Sequence, residues 1–165
     1  MSDSVNILGT EVSRYDLRET MNRMDRAIRE NRKLRIAVTP VNCILWARKN
    51  EKLNEIYNSA DIVTADGVPV VWASKILGKP VRGRVTGLDL LPKFAPVAAE
   101  KGYSFFFLGA AEGVGKRLAE ALKEQYLRDF PRIPPDRIRV AHDGAVLPRK
   151  TISPDPAKET LRVGY

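Results

Sequence analysis

The chain has 165 residues, of which 44% are hydrophobic and 29% are charged, and a formal net charge of +8. These values are typical of one soluble globular domain with a sizeable core. The single cysteine, Cys43, excludes an internal disulfide framework and a cysteine-rich metal site. No apolar run approaches the ~20 residues that span a bilayer, and the N-terminus lacks a signal-peptide pattern, so the sequence predicts a cytoplasmic protein.

The positive charge favours anionic partners, which include nucleic acid, anionic lipid surfaces and phosphorylated substrates. A solvated basic surface is the plainer explanation. The basic residues form no polybasic block, and arginines do not interleave with aromatic residues in the way that base stacking requires. Nucleic acid is therefore not an expected partner, and a basic nucleic-acid-binding module is kept only as the weakest alternative.

Hydrophobic spacing predicts alternating strands and helices in the first half of the chain. Asp16 and Glu19 have the spacing of a capping box at a helix start. The predicted elements are a strand over Val5–Leu8, a helix from Asp16 to near Asn31, a strand over Leu34–Val38, a helix capped by Asn42 and a strand over Ile62–Ala65.

The alternation continues in the second half. The predicted elements are a helix opened by Pro69 and ended by Gly78, a helix ended by Gly102, a strand over Tyr103–Leu108, a glycine-rich turn into a long helix, and a short strand over Ile138–Val140. Trp46 and Trp72 lie in apolar helical patterns that predict core positions. Such alternation predicts an α/β fold with a Rossmann-like, mostly parallel sheet and helices on both faces.

Asp66 follows the strand over Ile62–Ala65 and precedes Gly67 and a helix. Ligands of open α/β sheets bind at the carboxyl ends of strands, and glycine lets the backbone approach a ligand closely. Asp66 therefore stands where a catalytic carboxylate is expected. The alternative is that Asp66 only caps the next helix.

Two segments could bind phosphate groups. The loop over Gly109–Lys116 departs from the P-loop and dinucleotide patterns, which leaves a generic anion site or a simple tight turn. Arg82 and Arg84 could clamp a diphosphate, or they could be surface charge. His142 is the only histidine, and no acidic pair or His/Cys cluster offers a metal site, so metal-independent chemistry is favoured.

Several of these segments together resemble the WecG/TagA/CpsF glycosyltransferases. The resemblance rests on Thr39 and Asn42 and on residues 60–69 (ADIVTADGVP), 84–90 (RVTGLDL), 106–109 (FFLG) and 142–144 (HDG), in that order, and covers about residues 5–144. It implies transfer of an N-acetylmannosamine-type sugar, or a related hexose, from a UDP-sugar to an undecaprenyl-diphosphate-linked acceptor. Such products feed wall teichoic acid, enterobacterial common antigen or exopolysaccharide.

The resemblance also implies roles for single residues. Asp66 matches the proposed catalytic base and Arg84 an arginine that stabilises the departing diphosphate. The implied substrate-binding residues are Thr39, Asn42, Gly67, Gly87, Asp89 and Gly109. The enzyme is expected to invert the anomeric centre, to need no cofactor, and to work at the inner face of the cell membrane. A homo-oligomer is among the assemblies left open.

The chain departs from the family pattern after residue 144. Relatives continue with another strand, a Gly-x-Pro-x-Gln-Glu loop and membrane-facing helices, whereas Ala145 onward matches none of these. The sequence therefore predicts a glycosyltransferase-like α/β domain over residues 1–144 and a divergent, poorly ordered tail over 145–165 in a truncated family member. The alternative function is a catalytically impaired UDP-sugar-binding domain.

Overall fold

The computed structural model describes residues 3–107, the helical positions 117, 120, 121, 124 and 128, and the strand residues 160–163. The fold is mixed α/β, as predicted. Its elements are β1 (Ser4–Ile7), β2 (Thr10–Ser13), α1 (Leu17–Arg29), β3 (Ile36–Pro40), α2 (Val41–Lys49), α3 (Glu51–Asn58), β4 (Ile62–Asp66), α4 (Val68–Ile76), α5 (Gly87–Lys101), β5 (Ser104–Phe107) and β6 (Thr160–Val163).

The strands of the described residues form three two-stranded sheets. β3 pairs with β4 and β5 pairs with β6, both in parallel. β1 pairs with β2 in antiparallel fashion, and β2 has no counterpart among the predicted elements. The turn between β1 and β2 places Leu8 at φ 53° and Gly9 at φ 95°. Positive φ at both central residues is the geometry of a tight hairpin turn, which usually carries Asn-Gly or Asp-Gly.

Helix starts follow the predicted pattern in one case and depart from it in another. The Asp16 side chain accepts a hydrogen bond from the Glu19 backbone N–H over 2.7 Å, which confirms it as the N-cap of α1. The predicted cap at Asn42 is wrong. Pro40 precedes the first residue of α2, and Asn42 lies inside its first turn, because β3 runs two residues further than predicted, to Pro40.

The structure divides into two compact units, residues 1–92 and residues 93–165. The core of the first unit draws on the hairpin, α2, β4, α4 and the segment after α4. Its buried members are Val5, Ile7, Val12, Ile44, Val63, Ala65, Val70 and Val81. β2 lies against β4, where the Val63 N–H donates to the Ser13 hydroxyl over 3.1 Å.

The two tryptophans are not core residues. Trp46 on α2 and Trp72 on α4 are 58% and 63% exposed. Both helices bury a different face, through Ile44 and Ala47 on α2 and through Val70 and Ser74 on α4. The prediction was wrong because each of these helices carries apolar residues on more than one side, and the local sequence does not indicate which side faces the core.

In the second unit, Phe94 of α5 is fully buried and its ring lies 6.4 Å from the rings of both Tyr103 and Phe105. The predicted strand here is confirmed as β5. Its partner β6 lies in the segment where the sequence analysis identified no strand. The predicted domain boundary at residue 144 and the strand over Ile138–Val140 lie outside the described residues.

Candidate active site at the carboxyl ends of β3 and β4

β3 and β4 end at the same edge of their sheet. In the parallel register Thr39 lies opposite Ala65, and Pro40 lies opposite Asp66. β4 is buried from Ile62 to Ala65, and only its last residue, Asp66, is partly exposed. The strand therefore delivers a carboxylate to the edge where open α/β sheets bind their ligands.

Gly67 makes the turn from β4 into α4. Its φ of 94° and ψ of 155° lie in a region that only glycine adopts readily. Gly67 is itself the N-cap of α4, and no side chain caps this helix. The alternative that Asp66 serves as a helix cap is therefore wrong, and its carboxylate has no such structural duty.

The segment after α4 brings Arg84 to the same edge. The Val85 backbone N–H donates to the Ala65 carbonyl oxygen over 3.0 Å, next to Asp66 in the chain. The Val85 side chain is fully buried, whereas Arg84 is exposed. A buried anchor thus holds an accessible guanidinium beside the strand end.

Thr86 and Asp89 form a reciprocal pair at the start of α5. The Asp89 N–H donates to the Thr86 hydroxyl oxygen over 3.0 Å, and that hydroxyl donates to the Asp89 carboxylate over 2.9 Å. Arg84 donates to the same carboxylate over a longer 3.4 Å. This long, exposed contact leaves most of the guanidinium donors of Arg84 available to another anion.

Burial raises the pKa of Asp66 above its ordinary value of 3.8. The Arg84 charge opposes this rise in pKa, and the Asp89 charge adds to it. Loss of hydration is the leading cause, since the charged form of a carboxylate loses most when water is removed. A carboxylate with a raised pKa is a stronger proton acceptor than a free one, which suits a general base.

Unlike Arg84, Arg82 is held in ion pairs with two carboxylates from other segments. Its guanidinium donates to Glu19 over 2.6 Å and to Asp3 over 2.5 Å. Asp3 also accepts from Arg14, whose carbonyl oxygen accepts from the Arg82 N–H. Arg82 thus ties its loop to the start of β1 and to α1, and the proposed diphosphate clamp falls to Arg84 alone. Sequence analysis missed Asp3 and Glu19 because only the fold brings them to Arg82.

The remaining predicted site residues divide into three groups. Thr39 is fully buried at the end of β3 and donates to the Ala37 carbonyl oxygen over 3.1 Å, whereas Asn42 is exposed on α2. Gly87 and Asp89 lie in the first turn of α5, close in sequence to Arg84. Gly109 lies outside the described residues, as does His142, which belongs to the family resemblance and was not a predicted site residue. The substrate-binding roles stay predictions.

The described residues contain no cluster of three or more His, Cys, Asp or Glu side chains suited to a metal ion. Among their helices, none combines the length and apolarity needed to cross a membrane.

The chain is similar in sequence to one family of known proteins. Residues 5–139 match the model of the Glycosyl transferase WecG/TagA/CpsF family. A protein of Bacillus spizizenii is 35% identical over 114 residues, which are 69% of this chain and 42% of that protein. Two Staphylococcus aureus proteins are 32% and 31% identical over 81 residues, which are 49% of this chain and 32% of each protein.

All three relatives are named N-acetylglucosaminyldiphosphoundecaprenol N-acetyl-beta-D-mannosaminyltransferase. The match therefore spans less than half the length of each of these relatives. The matched region includes both Asp66 and Arg84, since residues 5–139 contain the whole described edge of the sheet.

Proposed function

This chain belongs to the WecG/TagA/CpsF family of glycosyltransferases, and from that premise we propose that it transfers an N-acetylmannosamine-type sugar to an N-acetylglucosamine linked to undecaprenyl diphosphate. The names of the relatives supply this acceptor and this sugar. UDP is proposed as the carrier of the donor sugar. The fold is proposed to be Rossmann-like. The chain would act as a peripheral protein at the inner face of the membrane.

The proposed reaction is a single displacement. The acceptor hydroxyl oxygen attacks the anomeric carbon, and the bond from that carbon to the diphosphate oxygen breaks with its electron pair leaving on UDP. Asp66 accepts the proton of the attacking hydroxyl. Attack from the face opposite the leaving group inverts the anomeric configuration.

The observation that carries this proposal is the position and environment of Asp66. It ends a buried strand, it caps no helix, and burial raises its pKa. A carboxylate whose charged form is disfavoured by burial and which caps no helix is a candidate for chemistry.

Arg84 is proposed to stabilise the negative charge that develops on the diphosphate. It is anchored through Val85 yet exposed, and its one described partner, Asp89, lies 3.4 Å away. Guanidinium matches phosphate oxygens with two parallel hydrogen bonds. Such stabilisation of a leaving group lowers the barrier without a metal ion, since the positive charge is already in place.

The test is release of UDP from UDP-N-acetylmannosamine with and without the lipid-linked acceptor. Asp66→Asn is expected to lower acceptor-dependent release by at least about 100-fold, the usual contribution of a general base, and to leave UDP binding intact. Asp61→Asn is the matched control, because Asp61 precedes the same strand and accepts from the Arg35 N–H at its other end. Full turnover in Asp66→Asn contradicts the assignment.

The alternative of a UDP-sugar-binding domain without catalysis gives a different result in the same assay. Wild-type protein would then bind UDP but would release no UDP from UDP-N-acetylmannosamine, even with the acceptor present. A nucleic-acid-binding module would bind no UDP, and its affinity for nucleic acid would fall steeply with salt.

A further inference from the structure

Helix α4 exposes a row of large apolar side chains directly after the candidate active site. Val68, Trp72 and Ile76 recur every four residues and so share one face of the helix. They are 46%, 63% and 86% exposed, and Leu77 follows at 52%. We call these four residues the α4 stripe. An aligned apolar surface of this kind marks an interaction site.

The opposite face of α4 fixes the stripe in its outward position. Val70 and Ser74 are fully buried there. The Ser74 hydroxyl donates to the Val71 carbonyl oxygen over 2.7 Å and accepts from the Val81 N–H over 3.1 Å. Turning the stripe inward would break the hydrogen bond from the Val81 N–H to Ser74 and expose Val70, so the exposure of the stripe is built into the fold.

The charges around the stripe favour an anionic partner. Residues 67–81 include Lys75 and Lys79, both exposed, and no aspartate or glutamate. Hydrogen bonds from Asn6 and Ser4 are the main cause that lowers the pKa of Glu11 on β2, and the charge of Lys79 adds to that effect, so Lys79 has an acid near it. Lys75 is therefore the clearer positive charge beside the stripe.

The second exposed tryptophan lies in a different electrostatic setting. Trp46, Val41 and Leu45 are also exposed on α2, but α2 packs against α3. Arg48 and Lys49 end α2, and α3 carries Lys52 between Glu51 and Glu55, so this pair of helices exposes charges of both signs. These mixed charges attract an anionic surface less than residues 67–81 do, where the only charged residues are lysines.

We propose that the α4 stripe, with Lys75 beside it, docks this protein on an anionic lipid bilayer. Tryptophan favours the interface between lipid and water, and a lysine beside exposed apolar residues adds attraction to anionic lipid. Because α4 starts directly after Gly67, docking would hold Asp66 near the surface that presents a lipid-linked acceptor. The inference rests on the proposed function for its biological purpose, although lipid binding itself requires neither donor nor acceptor.

Fluorescence tests the docking directly, because the chain has only two tryptophans. Trp46→Phe leaves Trp72 as the sole reporter, and Trp72→Phe leaves Trp46. With vesicles of phosphatidylglycerol and phosphatidylcholine, emission of Trp72 is expected to shift to shorter wavelength, and emission of Trp46 is expected to stay constant. An unshifted Trp72, or an equal shift of Trp46, overturns the proposal.

Variants then separate the apolar and electrostatic contributions in vesicle sedimentation. Ile76→Glu is expected to weaken binding by at least about tenfold, while Ile56→Glu on α3 is the control, with an isoleucine that is also exposed, at 57% against 86%. Lys75→Gln is expected to weaken binding about fivefold, and pure phosphatidylcholine to bind least. Circular dichroism confirms that each variant is folded. Equal loss in both isoleucine variants overturns the proposal.

Light scattering identifies the main competing occupant, a second copy of the chain. If wild type is an oligomer that Ile76→Glu dissociates, and neither protein binds vesicles, the stripe is a protein interface and the proposal is wrong. The vesicles contain no acceptor or donor. Loss of docking with normal UDP release therefore contradicts only the docking surface, and docking without turnover contradicts only the proposed function.

Discussion

The backbone N–H of Val85 donates to the carbonyl oxygen of Ala65 over 3.0 Å. This hydrogen bond joins the segment that carries Arg84 to the strand that carries Asp66. Since backbone atoms alone make the bond, substitutions of either charged side chain leave it in place. Such variants therefore test the chemistry of the site with its framework retained.

Arg84 and Arg82 are expected to respond differently to substitution, although only Gly83 separates them. Arg84→Ala is expected to weaken UDP binding about tenfold or more, the value of one charge-assisted hydrogen bond. Arg82→Ala is expected to leave UDP affinity within about threefold and to lower Tm, because its ion pairs with Asp3 and Glu19 are lost. Calorimetric titration with UDP and thermal melts measure the two effects, and equal losses of UDP affinity would contradict the assignment.

Asp66→Asn is expected to stabilise the fold at neutral pH. The folded-state pKa of Asp66 is raised above 3.8 by burial, so its contribution to stability is fully present below pH 3.8 and is lost as pH rises through the folded-state pKa. Asparagine avoids this loss. The gain should stay under about 1 kcal/mol, since Asp66 is partly exposed to water, and should vanish as pH falls below 3.8. Urea unfolding at pH 7 and pH 3 measures it; a gain independent of pH would refute the cause.

Thr86→Ala is expected to destabilise the start of α5. The substitution removes the hydroxyl that accepts from the Asp89 N–H over 3.0 Å, and loss of such a cap costs about 1 kcal/mol. It also removes a donor to the Asp89 carboxylate. Thr86→Ser keeps both hydrogen bonds and should recover most of the stability in urea unfolding. If serine were no better than alanine, packing of the methyl group would be the cause.

Gly67→Ala is expected to cost more stability than Gly78→Ala. A Cβ at Gly67 would meet only ordinary contact, with the Pro69 Cδ atom at 3.6 Å, so the cost comes from the backbone. The dihedral angles of Gly67 lie in a region reserved for glycine, where strain is about 1–3 kcal/mol. Gly78 has a φ of 72° and open space around it, so Gly78→Ala should lower the free energy of unfolding by about 1–2 kcal/mol. Thermal unfolding of both variants provides the comparison.

Local sequence patterns were sufficient for the features that depend on neighbouring residues. The end of β4 at Asp66, the cap at Asp16 and the helix stop at Gly78 all follow from short-range chemistry. Gly78 adopts a positive φ, and the Lys79 N–H donates to the Ser74 carbonyl oxygen over 3.1 Å, as a glycine-terminated helix requires.

Features that depend on distant residues were missed. The residues near Arg82 in the sequence do not indicate that Asp3 and Glu19 are its partners. β2 was not predicted because the turn between β1 and β2 places Leu8 at a positive φ, where the usual hairpin sequence has asparagine or aspartate. Trp46 and Trp72 have apolar neighbours in sequence, and only the packed fold shows that the core lies on another side of each helix.

The contact between Arg82 and Asp3 joins residues that are 79 positions apart. Closing a loop of such length costs chain entropy, which the rest of the fold must offset. The loop with Arg84 is thereby tied to Asp3 and Glu19 as well as to β4. We expect Arg82→Ala to speed amide hydrogen exchange at Val85, because protection of that amide requires the loop to stay closed on β4.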